Sequence, residues 1–315
     1  MGCIGMATSV YYFSGTGNSM YIARKMANMT HAELLSIKDT FYENEIVPAA
    51  DIIGLVFPVY NHRVPYIVKR FVERLSNLDS KYVFAICTYG DSPCIALEYL
   101  SGLISARGGR LSCGFGVKMP YNYIAPLPGI TGLFQPFVLR EVPGEQQRKI
   151  LSEADQKVQA IYDAIGAQKS GYIEIEYQKL EHFVDFFNLR ELLQKPVWLK
   201  ISGYSGKCDV PYIESVRLMD AGFHYDEHCV RCGTCAKMCP VGNIKMSVEG
   251  PVWLHQCEQC FACLQWCPKA AIQFRSGTAG RKRYHHPEVS LADMLSIQSK
   301  TKGEFEDEFK INVSG

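Results

Sequence analysis

Ser9-Val10-Tyr11-Tyr12-Phe13-Ser14-Gly15-Thr16-Gly17-Asn18-Ser19 decides the fold of the first half of the chain. Four of its first five residues are β-branched or aromatic. A loop of hydroxylated residues and two glycines follows, and then a helical pattern through Ile22, Ala23, Met26 and Ala27. A strand that turns through such a loop into a helix is an anion cradle, because backbone N–H groups face the ligand and the aligned peptide dipoles favour negative charge. Ser14, Thr16 and Ser19 add hydroxyls and Asn18 an amide, so a phosphate can be held with no basic residue before Arg24. Two other loops fit less well. A P-loop needs Gly-Lys-Ser/Thr at its end, and the dinucleotide fingerprint needs a third glycine where Met20 stands. Gly-x-Gly by itself also occurs in ordinary strand-to-helix turns.

Outward from this loop, residues 1–167 alternate short apolar runs with helical patterns, the mark of a parallel sheet covered on both faces. Strands are expected at 9–13, 52–57, 82–87 and 111–118, with a weaker one at 34–37. Ile67, Val68, Phe71, Val72 and Leu75 share one helical face, as do Leu151, Ala154, Val158, Ile161 and Ile165. The expected fold is α/β, a doubly wound five-stranded parallel sheet. Residues 118–141, rich in proline and tyrosine, are long for a strand-to-helix connection and are expected to form a lid near the bound ligand or a contact with the cysteine-rich module of the last third.

The last third holds two runs of one spacing, Cys229-x2-Cys232-x2-Cys235-x3-Cys239-Pro240 and Cys257-x2-Cys260-x2-Cys263-x3-Cys267-Pro268, 28 residues apart. This is the ligand pattern of a small α+β bacterial ferredoxin with two 4Fe-4S clusters, in which the fourth cysteine of each run serves the other cluster. The expected sets are Cys229, Cys232, Cys235 and Cys267, and Cys257, Cys260, Cys263 and Cys239. Structural zinc has no use for a third and fourth cysteine in each run. A disulfide framework belongs to small secreted chains, and residues 1–9 lack the basic and apolar regions of a signal peptide. Cys3, Cys87, Cys94, Cys113 and Cys208 are expected to be free buried thiols in a reducing cytoplasm.

The 315 residues exceed one domain, and the expected division is 1–170, a connector at 171–225, the cluster module at 226–276 and a tail at 277–315. Residues 1–150 carry 14 basic against 11 acidic side chains and the remainder 19 against 21, so no polybasic face argues for nucleic acid. No apolar run is long enough for a membrane span. The connector holds Phe183, Phe186, Phe187, Trp198, Tyr204, Tyr212 and Phe223, aromatics expected to be buried. In the tail, Arg281-Lys282-Arg283-Tyr284-His285-His286 is expected to face an acidic partner or clamp back on the first domain, and 290–297 to form a short capped helix. Phe309, Ile311 and Val313 alternate like an end strand.

Phe13 to Ser19 resembles the FMN phosphate loop of flavodoxins, and the chain as a whole resembles a flavodoxin-ferredoxin fusion family. That resemblance extends to Phe57-Pro58-Val59-Tyr60, Met119-Pro120-Tyr121-Asn122-Tyr123 and Arg283 to Glu288. It implies strand order 2-1-3-4-5 with FMN at the switch point. It gives Ser14, Gly15, Thr16, Gly17, Asn18 and Ser19 to the phosphate. It places Pro58, Val59, Tyr60, Asn61 and His62 and Thr88, Tyr89, Gly90 and Asp91 beside the isoalloxazine, with Tyr60 and Tyr89 as candidate stacking rings. Flavodoxins are acidic around the flavin, whereas this half is basic and places His62 and Arg63 there, which favours a negatively charged reduced ring. The expected function is electron transfer between FMN and two 4Fe-4S clusters in an anaerobic metabolism. A ferredoxin-type protein is the expected partner and a small molecule the expected acceptor. A carrier without catalysis and a cluster-based redox sensor are the alternatives.

Overall fold

The computed structural model describes residues 6–124, 142–176, 183 and 186–296. The first domain is built on β1 (Thr8–Tyr12), β2 (Glu33–Ser36), β3 (Ile52–Pro58), β4 (Tyr82–Tyr89), β5 (Leu111–Lys118) and β6 (Tyr172–Ile173). All are parallel, in the order β2-β1-β3-β4-β5-β6. The five expected strands stand in the expected order. The sixth corrects the five-stranded expectation: two residues that pair with Cys113 and Gly114 are too few to show a period.

Burial on both faces explains the near-continuous apolar runs of β3 and β4. Alternate residues serve opposite cores. Val10 and Tyr12 join Ile52, Val56, Phe84 and Ile86 under α1 (Asn18–Thr30) and α4 (Gly144–Gly166). Tyr11 and Phe13 join Ile53, Leu55 and Phe57 under α2 (Tyr66–Val72) and α3 (Ala96–Ser105). Along α4 the buried side chains are Ile150, Ala154, Val158, Ile161, Ala164 and Ile165, with Ile150 taking the buried place expected of Leu151.

The connector forms α5 (Lys195–Ser202), preceded by a π-helical turn, and α6 (Tyr212–Ser215), followed by a 3-10 stretch. Phe183, Phe186 and Phe187 pack on one another yet stay exposed, against the expectation of burial. The cluster module has two antiparallel ribbons, β7 (Phe223–Tyr225) with β10 (Ile272–Phe274) and β8 (Ile244–Met246) with β9 (Pro251–Trp253). The short helices α7 (Thr234–Met238) and α8 (Ala262–Gln265) each lie inside a cysteine run and carry its third cysteine, Cys235 and Cys263.

The module contributes Met238, Ala262 and Trp266 to one core of the first domain and Val241 to the other. It therefore straddles the sheet rather than hanging from a linker. The described part of the tail folds back over α1 and includes α9 (Leu291–Ser296), capped by reciprocal bonds between Ser290 and Asp293. The expected strand at 309–313 lies outside the described residues.

Gly54 stands between Val10 and Phe84 in the middle of the sheet, where an added methyl group would overlap the Phe84 ring. Gly54→Ala is expected to cost about 1–3 kcal/mol by overpacking, read as a lowered melting temperature.

Candidate functional site

Gly17 caps α1 with φ of 94°, a left-handed conformation that suits glycine, and a methyl group there would lie 3.0 Å from Val289. No side chain caps the helix and its first turn holds no acidic residue. The helix start is buried, with Thr16, Asn18 and Ser19 all nearly inaccessible. Uncapped amides, a helix dipole and buried hydroxyls together make a donor set suited to a phosphate. Ser14 Oγ accepts from the Gly17 amide at 3.1 Å. Ser19 Oγ and Thr88 Oγ1 are bonded at 2.8 Å, which ties the loop to the end of β4.

The two loops expected beside a flavin ring stand next to this cradle. Val59 N donates to Thr88 O at 2.8 Å. Tyr60 and Arg63 close a tight turn through two backbone bonds, with Asn61 and His62 both at positive φ as a type I′ turn requires. The Tyr60 hydroxyl would be 2.6 Å from a methyl group on Gly15, so its ring reaches the phosphate loop. Burial raises its pKa, with Cys260 and Glu258 adding to the effect. His62 Nδ1 is 3.1 Å from Cys94 Sγ, and the Arg63 guanidinium lies 5.4 Å from the centre of the Tyr99 ring. The Tyr89 ring covers Gly116 of β5, Tyr121 covers Gly90, and Asp91 is exposed. Burial pushes Tyr89 and Tyr121 up to about 12.

The module repeats at the level of the backbone as well as the sequence. Left-handed residues recur 28 positions apart at Arg231 and Gln259, Gly233 and Phe261, and Gly242 and Ala270. So do the bonds to the last cysteine of each run, Asn243 N to Cys239 Sγ at 3.1 Å and Ala271 N to Cys267 Sγ at 3.3 Å. One cavity is lined by Cys229, Cys232, Cys235 and Cys267, which brings the last cysteine of the second run to the first three of the first. Cys239 interacts electrostatically with Cys260 and Cys263, and Cys257 with the same two.

The two sets differ in exposure. Cys232 is exposed and Cys229 and Cys267 are half-buried. Cys257 and Cys263 are buried, and Cys260 is enclosed enough that burial raises its thiol to about 12. Burial raises Cys235 to about 11, while the Thr234 hydroxyl lowers Cys232. Buried thiols of this kind ionise when a metal replaces the proton, so the donor sets fit iron–sulfur clusters. Of the other cysteines, Cys87, Cys94 and Cys113 are buried and free and Cys208 is half-buried, while Cys3 lies outside the described residues.

The inner cysteine set meets the phosphate loop directly. A methyl group on Gly15 would sit 2.6 Å from the Cys260 carbonyl oxygen. Trp266 Nε1 donates to Gly15 O at 2.9 Å. Glu258 reaches across to α2, where its carboxylate accepts from Ile67 N at 3.0 Å, and burial raises it to about 8. Lys38 Nζ donates to Lys237 O at 3.0 Å, close to Cys239 and Cys260. The tail acts as the clamp foreseen for it. Tyr284 OH donates to Asn18 Oδ1 at 2.8 Å, His286 N donates to Thr16 O at 2.9 Å, and Arg24 pairs with Asp293 at 3.2 Å. The His285 ring stacks on Trp266 and that of His286 on Tyr21. Asn122, Trp266, Tyr284 and His286 were not foreseen at the phosphate loop from residue chemistry.

Comparison with known families agrees with this architecture. Residues 9–93 match the model of a flavodoxin domain and residues 223–277 that of a 4Fe-4S dicluster domain. No curated protein matches the chain. Among solved structures it is similar to two-electron reduced Megasphaera elsdenii flavodoxin, at 19% identity over 48% of this chain and 98% of that one, TM-score 0.30. A flavoprotein in complex with FMN from Lactobacillus acidophilus shares 14% identity over 36% and 93%, TM-score 0.28. The rubredoxin oxygen:oxidoreductase of Desulfovibrio gigas shares 12% over 50% and 37%, TM-score 0.29. The chain joins a flavodoxin domain to a 4Fe-4S dicluster domain and is an electron-transfer flavo-iron-sulfur protein. The first domain implies FMN, the second iron–sulfur clusters, and the pair implies redox partners. No described helix is long and apolar enough to cross a membrane.

His286 is 1% exposed, and burial lowers its pKa to about 4 from an ordinary 6.5. The unfolded chain binds the proton first, so the stabilisation present above pH 6.5 is lost as pH falls towards 4, by up to about 1.4 kcal/mol per pH unit. Denaturation midpoints at pH 7 and pH 5 should therefore differ more for the natural protein than for His286→Gln.

Proposed function

We propose that the protein passes electrons between FMN, held by residues 14–19, and two 4Fe-4S clusters, and exchanges them with a ferredoxin-type protein and a small acceptor. In this reading Cys229, Cys232, Cys235 and Cys267 hold the outer cluster, and Cys257, Cys260, Cys263 and Cys239 the inner one. The abutment of Cys260 on Gly15 and Tyr60 carries the proposal, because it sets the inner cysteines against the flavin loop. Bound there, FMN would exchange one or two electrons and each cluster one.

The residues supply direction and insulation. The outer set opens to solvent through Cys232, between Arg231 and Lys269, so it is where another protein can approach. The inner set is closed in by the flavodoxin domain. Backbone N–H bonds to Cys239, Cys257 and Cys267 stabilise negative charge on sulfur and thereby tune potential. A cleft lined by Tyr60, Asn61, Arg63, Tyr66, Tyr212 and Met219 lies beside the flavin loop.

Crossed ligation makes a specific demand on spectra. Cys267→Ser should remove or alter the signal of the outer cluster and Cys239→Ser that of the inner one, as read by electron paramagnetic resonance and iron content. Each change altering the cluster of its own run instead would contradict the assignment. Arg231→Glu with Lys269→Glu should slow reduction by an acidic ferredoxin about tenfold at low salt, with reduction by dithionite unchanged.

A further inference from the structure

The phosphate loop is surrounded by residues that make it a donor towards its interior, and this polarity comes from outside the flavodoxin domain's own strands and helices. A hydroxyl can give or take a hydrogen bond, and a side-chain amide can present either end. Asn122 Nδ2 donates to Thr16 Oγ1 at 2.5 Å, which leaves the Thr16 hydroxyl hydrogen for another acceptor. Tyr284 OH donates to Asn18 Oδ1 at 2.8 Å, and Asn18 Nδ2 faces Pro120 O at 3.5 Å. The oxygen of that amide is occupied and one N–H is directed at Pro120, so the second N–H remains to be used. Ser14 Oγ accepts from Gly17 N, so its hydrogen too is left to give.

The peptides are set in the same sense. Trp266 Nε1 takes Gly15 O and His286 N takes Thr16 O. In a trans peptide the N–H points opposite to the C=O, so the outward Gly15 carbonyl turns the Thr16 N–H inward, while the Gly17 N–H is given to Ser14 Oγ and frees that hydroxyl's hydrogen. The groups that impose this arrangement are themselves linked. Gln265 Nε2 donates to Asn122 O at 2.8 Å, and Tyr284 N donates to Gln265 Oε1 at 2.8 Å. Asn122, Gln265 and Tyr284 thus form one chain of bonds through the 118–124 segment, the cluster module and the tail.

We propose that Asn122, Trp266 and Tyr284 are positioning residues for the flavin phosphate, converting ambivalent loop groups into donors, so that recognition of the phosphate is completed jointly by the 118–124 segment, the cluster module and the tail. The inference rests on FMN as the flavin of the first domain. It is specific to the phosphate, because none of these bonds reaches the 58–62 or 88–91 loops. Loss of such a donor arrangement weakens a phosphorylated flavin and spares one without phosphate.

The test measures binding of FMN and of riboflavin to the deflavinated, cluster-loaded protein by quenching of flavin fluorescence, at matched iron content. Tyr284→Phe and Asn122→Ala should each lower the FMN-to-riboflavin affinity ratio about tenfold. Asn122→Asp should lower it further, since a carboxylate accepts the Thr16 hydroxyl hydrogen and repels the phosphate. Lys149→Met, at an exposed ion pair with Glu153 on α4, should leave the ratio unchanged. Equal weakening of both flavins by the Tyr284 and Asn122 variants, or no change in either, would overturn the proposal. A natural protein that binds neither flavin would overturn the FMN reading, and with it this inference.

Discussion

The close packing of Gly15 against the Cys260 carbonyl is the constraint on which the rest depends. There is no room for a methyl group between them, so the start of α1 and the second cysteine run hold a fixed relation to one another. Trp266, Glu258 and Lys38 reinforce this seam from three directions. Two modules that could have been joined by a flexible linker are instead packed through shared cores, with Met238, Ala262 and Trp266 buried beside the sheet. Rigidity at this seam suits electron transfer within one chain, because no docking step separates the two halves.

Asymmetry between the cysteine sets follows from the same packing. The repeat gives both sets the same backbone, down to the left-handed residues and the amide bonds to the last cysteine of each run. Docking then treats them differently, burying one beneath the flavodoxin domain and leaving the other at the surface through Cys232. Lower solvent exposure and the nearby Asp220 carboxylate act on the inner set, while Lys38 opposes them. A symmetric sequence motif thus becomes a path with two distinct ends.

What the sequence disclosed was local. The strand–loop–helix from Ser9 to Ala27 and the two cysteine runs carry their chemistry in spacings of a few residues, and both stand where those spacings place them. Tyr284 lies 266 residues from Asn18, and Trp266 lies 251 from Gly15. No periodicity connects such pairs, so their roles exist only after the halves have packed. Tyr89 illustrates the converse: its place at the end of β4 was legible, but the side chain turns onto Gly116, a direction set by the missing side chain on the neighbouring strand. The exposed cluster of Phe183, Phe186 and Phe187 likewise follows from tertiary placement rather than from composition.

Stopped-flow reduction of the holoprotein through its cluster side, with the flavin absorbance followed at several protein concentrations, tests the fixed seam most directly. Flavin bleaching at a rate independent of protein concentration, after the encounter with the donor, is the predicted result. A rate that rises in proportion to protein concentration would mean that the flavin is reached from a second molecule, contradicting a single rigid path through Cys260 and Gly15.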